Sequence, residues 1–301
     1  MPKVTRRRFL TLTAAAMMPL RASATTITEW HGTAIGAEAA IYLSHPDAPA
    51  IISRAVAEIE RLEGIFSLYR ANSALAQLNA FGRLDAPPFE LLECLALCGR
   101  VHTATQGLFD PTIQPLWQLY ALGFTEGRAP TSEQIAATIP LIGFSSIRYD
   151  GSAIALPDGM ELTLNGVAQG FIADKVAELL AAEGLTDILI NTGELRALGQ
   201  MPGAAGWPVK LISGGEVSLA ARALATSSPF GTVFDQDSTV GHILNPRTGR
   251  PADTAWNSVS ISAPSAALAD ALSTAACLMP DEIAMQASCA QFSDVRIEAL
   301  V

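Results

Sequence analysis

Apolar residues recur at helical spacing along much of the chain. Between 50 and 66, Ile52, Val56, Ile59 and Leu62 fall on one stripe, which predicts an amphipathic helix. Residues 89–105 carry the same pattern. Thr131-Ser132-Glu133-Gln134 is a capping box that opens a short helix. Residues 171–183 predict a helix closed by Gly184, and residues 265–279 predict another. Runs rich in β-branched and apolar residues at 187–191, 209–212 and 258–263 predict strands. Helices and strands mix without a βαβ rhythm, so the expected class is α+β. No internal repeat or low-complexity linker divides the chain.

The N-terminus follows a different logic. Thr5-Arg6-Arg7-Arg8-Phe9-Leu10 is a twin-arginine pattern, followed by an apolar stretch over 9–20 that is too short to span a bilayer. Arg21-Ala22-Ser23-Ala24 then ends in the small residues that signal peptidase favours. We expect residues 1–24 to be a leader cleaved after Ala24, residues 25–301 to form the folded domain, and the destination to be the bacterial periplasm. The alternative is a basic amphipathic start to an ordinary domain.

Composition narrows the partners. Half of the 301 residues are hydrophobic and 16% are charged, enough apolar mass for a core and too much for disorder. The net charge is −10, and five of the 19 basic residues lie in the leader. Such a chain lacks the clustered Lys and Arg that nucleic acid or an anionic membrane requires. Neither is expected as a partner, and no membrane span is expected after the leader. Cys94 and Cys98 are spaced four apart, unlike the CxxC of redox or zinc sites. All four cysteines fit small core residues, with a Cys277–Cys289 bridge as an alternative in an oxidising compartment.

The chain has no GxGxxG, Walker A, HExxH or GxSxG motif. Four segments carry candidate chemistry. Thr163-Leu164-Asn165-Gly166-Val167-Ala168-Gln169-Gly170 runs into a helix and suits a phosphate cradle, or an ordinary strand-to-helix turn. Asp270 and Thr274 lie four apart on one helix face, where their oxygens suit a hard cation such as Mg²⁺; an Asp meeting the helix dipole is the plainer alternative. His242 precedes the turn-rich Asn245-Pro246-Arg247-Thr248-Gly249 at the end of a possible strand, as a base or as a structural histidine. The loop from Gly107 to Trp117 suits the wall of a flat ring, or a surface turn.

Each segment is weak alone, but their order resembles the ApbE family, the FAD:protein FMN transferases. The matching blocks are His31-Gly32-Thr33; Phe66-Ser67-Leu68-Tyr69 with Ser73 and Asn79; Phe109-Asp110-Pro111-Thr112; Gly166 to Gly170; and His242 to Gly249 followed by Asp270-Ala271-Leu272-Ser273-Thr274. The twin-arginine leader and the Asn-Gly-Val-Ala-Gln-Gly cradle are similar to the NosX branch.

The resemblance implies a single domain of mixed, mainly antiparallel sheets flanked by helices. It implies a Mg²⁺-dependent enzyme that splits FAD, passes FMN to a Ser or Thr hydroxyl of a target protein and releases AMP. His242 matches the histidine that assists proton removal from that hydroxyl. Gly166, through its carbonyl, Asp270 and Thr274 match the Mg²⁺ ligands, with Ser273 adjacent. His31, Tyr69, Leu108, Phe109, Asp110, Thr163, Gln169 and Ile243 match FAD contacts. The implied partner is the periplasmic domain of a membrane flavoprotein with a DxxSGAT- or DxxTGAT-type acceptor motif, serving nitrous oxide reductase. This chain has no such motif of its own. It departs from the family pattern where Thr163 replaces an Asp, Gln169 a Lys, Asn245 an Asp and His31 a Met. A non-catalytic FAD-binding or delivery protein, or an FAD pyrophosphatase, is the alternative.

Overall fold

A computed structural model describes residues 26–253 and 256–301, so the leader expected at 1–24 lies outside the described residues. The first elements are a hairpin of β1 (Thr28–Ala34) and β2 (Ala37–Leu43), turned through Ile35 and Gly36. Helices α1 (Ala48–Phe66) and α2 (Ala74–Phe81) follow, then β3 (Arg83–Asp85) and α3 (Phe89–Ala104). Next come α4 (Gln114–Thr125), α5 (Ser132–Thr138), β4 (Arg148–Tyr149), β5 (Ala153–Ala155) and α6 (Ala168–Ala182). Five strands succeed them: β6 (Ile188–Asn191), β7 (Leu195–Leu198), β8 (Trp207–Leu211), β9 (Gly215–Leu219) and β10 (Ala223–Ser227). The last elements are β11 (Val259–Ala263), α7 (Ala266–Ala276), α8 (Glu282–Cys289) and β12 (Arg296–Leu300).

Seven strands make the main sheet in the order β1-β2-β6-β7-β10-β11-β12, with every pairing antiparallel. The α+β class and the antiparallel sheets flanked by helices are as expected. Strand β6 shows why its sequence lacks alternation. Ile188 and Ile190 face the core shared with α1, α3, α6 and α7, whereas Leu189 joins Leu195, Ala197 and Leu224 beneath Trp207, Val209 and Leu219. The β8–β9 hairpin supplies those last three residues and covers the second face. A strand covered on both sides is apolar on both sides.

Element edges moved where local chemistry allowed. Helix α1 starts at Ala48 rather than 50, because Pro49 fits the first turn, where an amide has no partner to lose. Helix α6 starts at Ala168 rather than 171, taking Gln169 and Gly170 into its first turn. The strand expected over 209–212 is β8, in a separate hairpin. The possible strand before His242 is replaced by two isolated bridges, Val233 with Gly241 and Leu244 with Pro251. The capping box forms as read: Gln134 N donates to Thr131 Oγ1, and Thr131 N donates to Gln134 Oε1. All four cysteines are buried and free, so Cys277 and Cys289 form no bridge.

Candidate active site

The site is built where α6 and α7 cross. Gly170 in the first turn of α6 lies so close to α7 that a Cβ there would stand 2.3 Å from the Ala266 carbonyl oxygen. Only hydrogen fits, and the closeness lets Gly170 N donate to Asp270 Oδ2 at 3.3 Å. Asp174, one turn further along α6, caps α7. It accepts from Ser265 Oγ at 2.7 Å and from the amides of Ala266 and Ala267 at 2.9 Å each. Arg196 approaches the same carboxylate at 3.1 Å. These contacts fix the helix that carries Asp270, Ser273 and Thr274.

The turn before α6 meets the same face. A Cβ on Gly166 would lie 2.9 Å from Thr274 Oγ1, so the Gly166 backbone is seated against that hydroxyl. Asn79 clamps the preceding segment by exchanging two 2.8 Å bonds with the backbone of Leu162, and Thr163 N donates to the Pro111 carbonyl at 2.8 Å. Gln169 lies against Gly193, where a Cβ would fall 2.5 Å from its amide carbon.

The histidine comes from a long loop anchored elsewhere. Phe234 packs with Trp117, Tyr120 and Phe124 of α4, and Tyr120 Oη donates to the Gly249 carbonyl at 3.0 Å. Within that frame His242 Nδ1 lies 2.9 Å from the Thr232 carbonyl oxygen and 3.3 Å from the Thr232 amide nitrogen, and the shorter contact assigns it as the donor to the carbonyl. That tautomer leaves Nε2 with its lone pair, as a base requires. Burial lowers the pKa of the ring, and the carbonyls of Thr232 and Pro229 oppose this by favouring the protonated form.

A cleft of about 490 Å³ lies between these parts. Ten of the residues singled out from sequence line it: Leu108, Phe109, Asp110, Thr163, Gly166, Gln169, His242, Ile243, Asp270 and Thr274. Three lie off it. Ser273 is fully buried behind Thr274, bonded to Ser227 Oγ at 2.7 Å and donating to the Asp270 carbonyl at 3.0 Å. Tyr69 is exposed and bonds Asn165, which does line the cleft. His31 sits on the edge strand β1, edge-on to Tyr42 and 3.5 Å from Glu29. The Asp110 carboxylate is engaged by protein groups, accepting from Thr112 N and Thr112 Oγ1 in its own loop and from Phe144 N of the segment after α5.

Sequence reasoning missed Glu194, which also lines the cleft. It follows strand β6 in Asn191-Thr192-Gly193-Glu194, a turn whose signal was present but short. Burial raises its pKa well above the usual carboxylate range, and the charge of Asp270 adds to the effect; the Thr226 amide, donating at 3.2 Å, opposes it. The Asp270 carboxyl is pushed up to about 7, first by burial and further by Asp174, against the stabilising Gly170 amide. Two carboxylates facing one cleft, both costly to ionise there, suit a site that takes up positive charge.

The sequence model of the ApbE family matches residues 28–299. The chain belongs to the ApbE family. An FAD:protein FMN transferase from Klebsiella pneumoniae is 29% identical over 230 residues, 70% of this chain and 70% of that protein. One from Treponema pallidum is 28% identical over 270 residues, covering 78% and 73%. Among solved structures, the ApbE protein of Thermotoga maritima superposes with a TM-score of 0.78 at 25% identity, covering 90% of this chain and 94% of that one.

For an ApbE family member the donor set bears on Mg²⁺. Among the described residues no three His, Cys, Asp or Glu side chains cluster as metal ligands. A cation here would be held by one carboxylate, Asp270, with the Thr274 hydroxyl and the Gly166 carbonyl as neutral oxygens. Hard oxygens of this kind fit Mg²⁺. The cradle at Gly166, which a side chain would fill, leaves the space.

Proposed function

We propose that the protein transfers FMN from FAD to a Ser or Thr hydroxyl of a target protein and releases AMP. One observation carries this: a partly buried histidine from a loop and an Asp/Thr pair from helix α7 converge on one cleft in an ApbE family member. Its relatives named FAD:protein FMN transferase support the same activity.

His242 Nε2 takes the proton from the acceptor hydroxyl, and that oxygen attacks the FMN phosphorus. One P–O bond forms to the acceptor as the P–O bond to AMP breaks, and AMP leaves with the displaced oxygen. Thr232 holds the ring in the tautomer this needs. Mg²⁺, when bound at Asp270, Thr274 and Gly166, neutralises charge that builds on the pyrophosphate oxygens. The Leu108–Phe109 wall and Ile243 supply apolar surface for a flat ring. Asp174 and Gly170 set the distance between α6 and α7, so orientation carries much of the rate.

The twin-arginine pattern at 5–10 supports a periplasmic setting. There the acceptor is the periplasmic domain of a membrane flavoprotein with a DxxSGAT- or DxxTGAT-type motif, and the NosX-like cradle supports a role beside nitrous oxide reductase. The test incubates the purified protein with FAD, Mg²⁺ and an acceptor domain carrying that motif, and records the acceptor's intact mass. A gain of one FMN moiety is expected. FAD bound without transfer refutes the transferase in favour of a carrier, and free FMN with AMP refutes it in favour of a pyrophosphatase.

A further inference from the structure

We infer that His102 is a positioning residue for the wall of the cleft, holding the Phe109 carbonyl so that Leu108 and Phe109 keep their place against a flat ring of FAD; this rests on FAD being the ligand. Leu108, Phe109 and Asp110 line the cleft, yet none of them belongs to a helix or a strand. Their backbone has no ladder to hold it. Phe109 is buried, and a buried amide or carbonyl without a partner is costly. Both partners of Phe109 are side chains from the end of α3. Thr105 Oγ1 accepts from Phe109 N at 3.1 Å while donating to the Val101 carbonyl at 2.8 Å. His102 Nδ1 lies 3.0 Å from the Phe109 carbonyl oxygen.

The surroundings of His102 fix the direction of its bond. Nδ1 faces two acceptors, the Phe109 carbonyl and, at 3.6 Å, Asp110 Oδ2, so Nδ1 carries the proton and donates. The ring also packs on Phe144, with centroids 5.6 Å apart, and the Phe144 amide donates to the same Asp110 oxygen. The backbone brings donor and acceptor together by reversing at the end of α3. Gly107 N donates to the His102 carbonyl at 2.7 Å and Gln106 N to the Thr103 carbonyl at 3.1 Å, the pair of bonds that closes a helix through a left-handed residue. Gln106 takes that conformation at φ 52° and Gly107 at φ 83°. A left-handed Gln is unfavourable by itself, so contacts beyond the turn must hold the reversal. His102 and Thr105 supply two of them. A third comes from Arg247, in the loop that carries His242, which donates to the Gln106 carbonyl. A histidine that only filled space would be replaceable by any side chain of similar size; here the wall depends on a donor at one ring position.

The experiment is FAD binding at saturating Mg²⁺ without an acceptor, followed by flavin fluorescence and by the visible circular dichroism of the bound flavin, beside urea unfolding of each variant. His102→Asn puts an amide N–H the same number of bonds from Cα as Nδ1, His102→Gln puts it one bond further out, and His102→Leu removes it. All three forgo the imidazole packing on Phe144, so stability should fall in each. Kd for FAD is expected to stay within about threefold of wild type in His102→Asn and to rise about tenfold in His102→Gln and His102→Leu, with an altered dichroism of the bound flavin. Thr105→Ser, which keeps the hydroxyl, and Thr105→Val, which removes it, should divide in the same way through the Phe109 amide, so the outcome does not hang on the His102 variants folding. Equal Kd in His102→Asn and His102→Leu, both unfolding cooperatively, would overturn the inference and leave His102 as a packing residue. Wild-type Kd and dichroism in every variant would overturn it as well, with FAD still the ligand. No FAD binding by the wild type would remove the FAD reading itself, and the inference with it.

Discussion

Gly170→Ala should destabilise this protein although it adds a better helix former to a helix. By propensity alone, Ala gains about 1 kcal/mol over Gly in a helix interior, and less in a first turn. The added methyl would sit 2.3 Å from the Ala266 oxygen, 2.4 Å from its carbonyl carbon and 2.6 Å from Ala267 N. All three are backbone atoms of the neighbouring segment, which Asp174 pins, so no side-chain rotation relieves the clash. Overpacking of this kind costs about 3 kcal/mol, which leaves a net loss of roughly 2–3 kcal/mol. For a domain of this size that is a fall of about 5–10 °C in Tm. Gly64→Ala is the control. Gly64 lies in α1, is exposed, and a Cβ there meets nothing within 4 Å. That variant should gain about 0.5–1 kcal/mol. The assay is thermal and urea unfolding of wild type and both variants, followed by FAD titration in the presence of Mg²⁺. The two glycines should move stability in opposite directions, and only Gly170→Ala should weaken binding. A Gly170→Ala protein as stable as wild type would refute the close crossing of α6 and α7.

Other outcomes follow from the same contacts. Asp174→Asn weakens a cap on three α7 donors and leaves Arg196 without its ion pair, so urea unfolding should report a loss of about 1–3 kcal/mol. His242→Ala should abolish FMN transfer in the acceptor mass assay while leaving FAD affinity within about threefold; transfer at the wild-type rate would sink its role as base. Native protein should show almost no rapid reaction with a thiol reagent at pH 8 and four thiols once denatured, and fewer than four would reveal a bridge. Burial pushes the thiols of Cys277 and Cys289 up to about 12 and about 11. The unfolded chain releases these protons at lower pH than the native one, so stability should fall as pH rises above about 9, and a Cys277→Ala/Cys289→Ala protein should show a shallower fall.

Sequence and structure agreed most where the signal was local. The α1 stripe and the Thr131 box depend on neighbours within a turn or two, and both formed as expected. The site residues were legible as an ordered set of short motifs, because a cradle, a helical Asp/Thr pair and a histidine before a turn each need fixed residue types. What stayed hidden was set by distant partners. Gly170 reads as a loop residue until Ala266 is placed against it. The β1–β2 hairpin and β7 are too short or too mixed to stand out before the sheet covers them. Glu194 looked like any acid in a turn, and only the fold set it opposite Asp270. His31 was drawn in by its place in a motif, yet β1 puts it at the sheet edge beside Tyr42.

The crossing of α6 and α7 also has a kinetic meaning. Its defining bond joins residues 100 positions apart, and β2 must pair with β6 across a still longer stretch, Leu43 opposite Ile188, before α6 has a surface to lie on. Loop closures of this length come late and slowly in folding. A nascent chain that has not yet made α7 therefore holds the glycine cradle without the Asp270 carboxylate that completes the cleft. A ligand that binds only the finished crossing cannot speed its formation; it slows its loss, lengthening the native lifetime by the inverse of the unoccupied fraction.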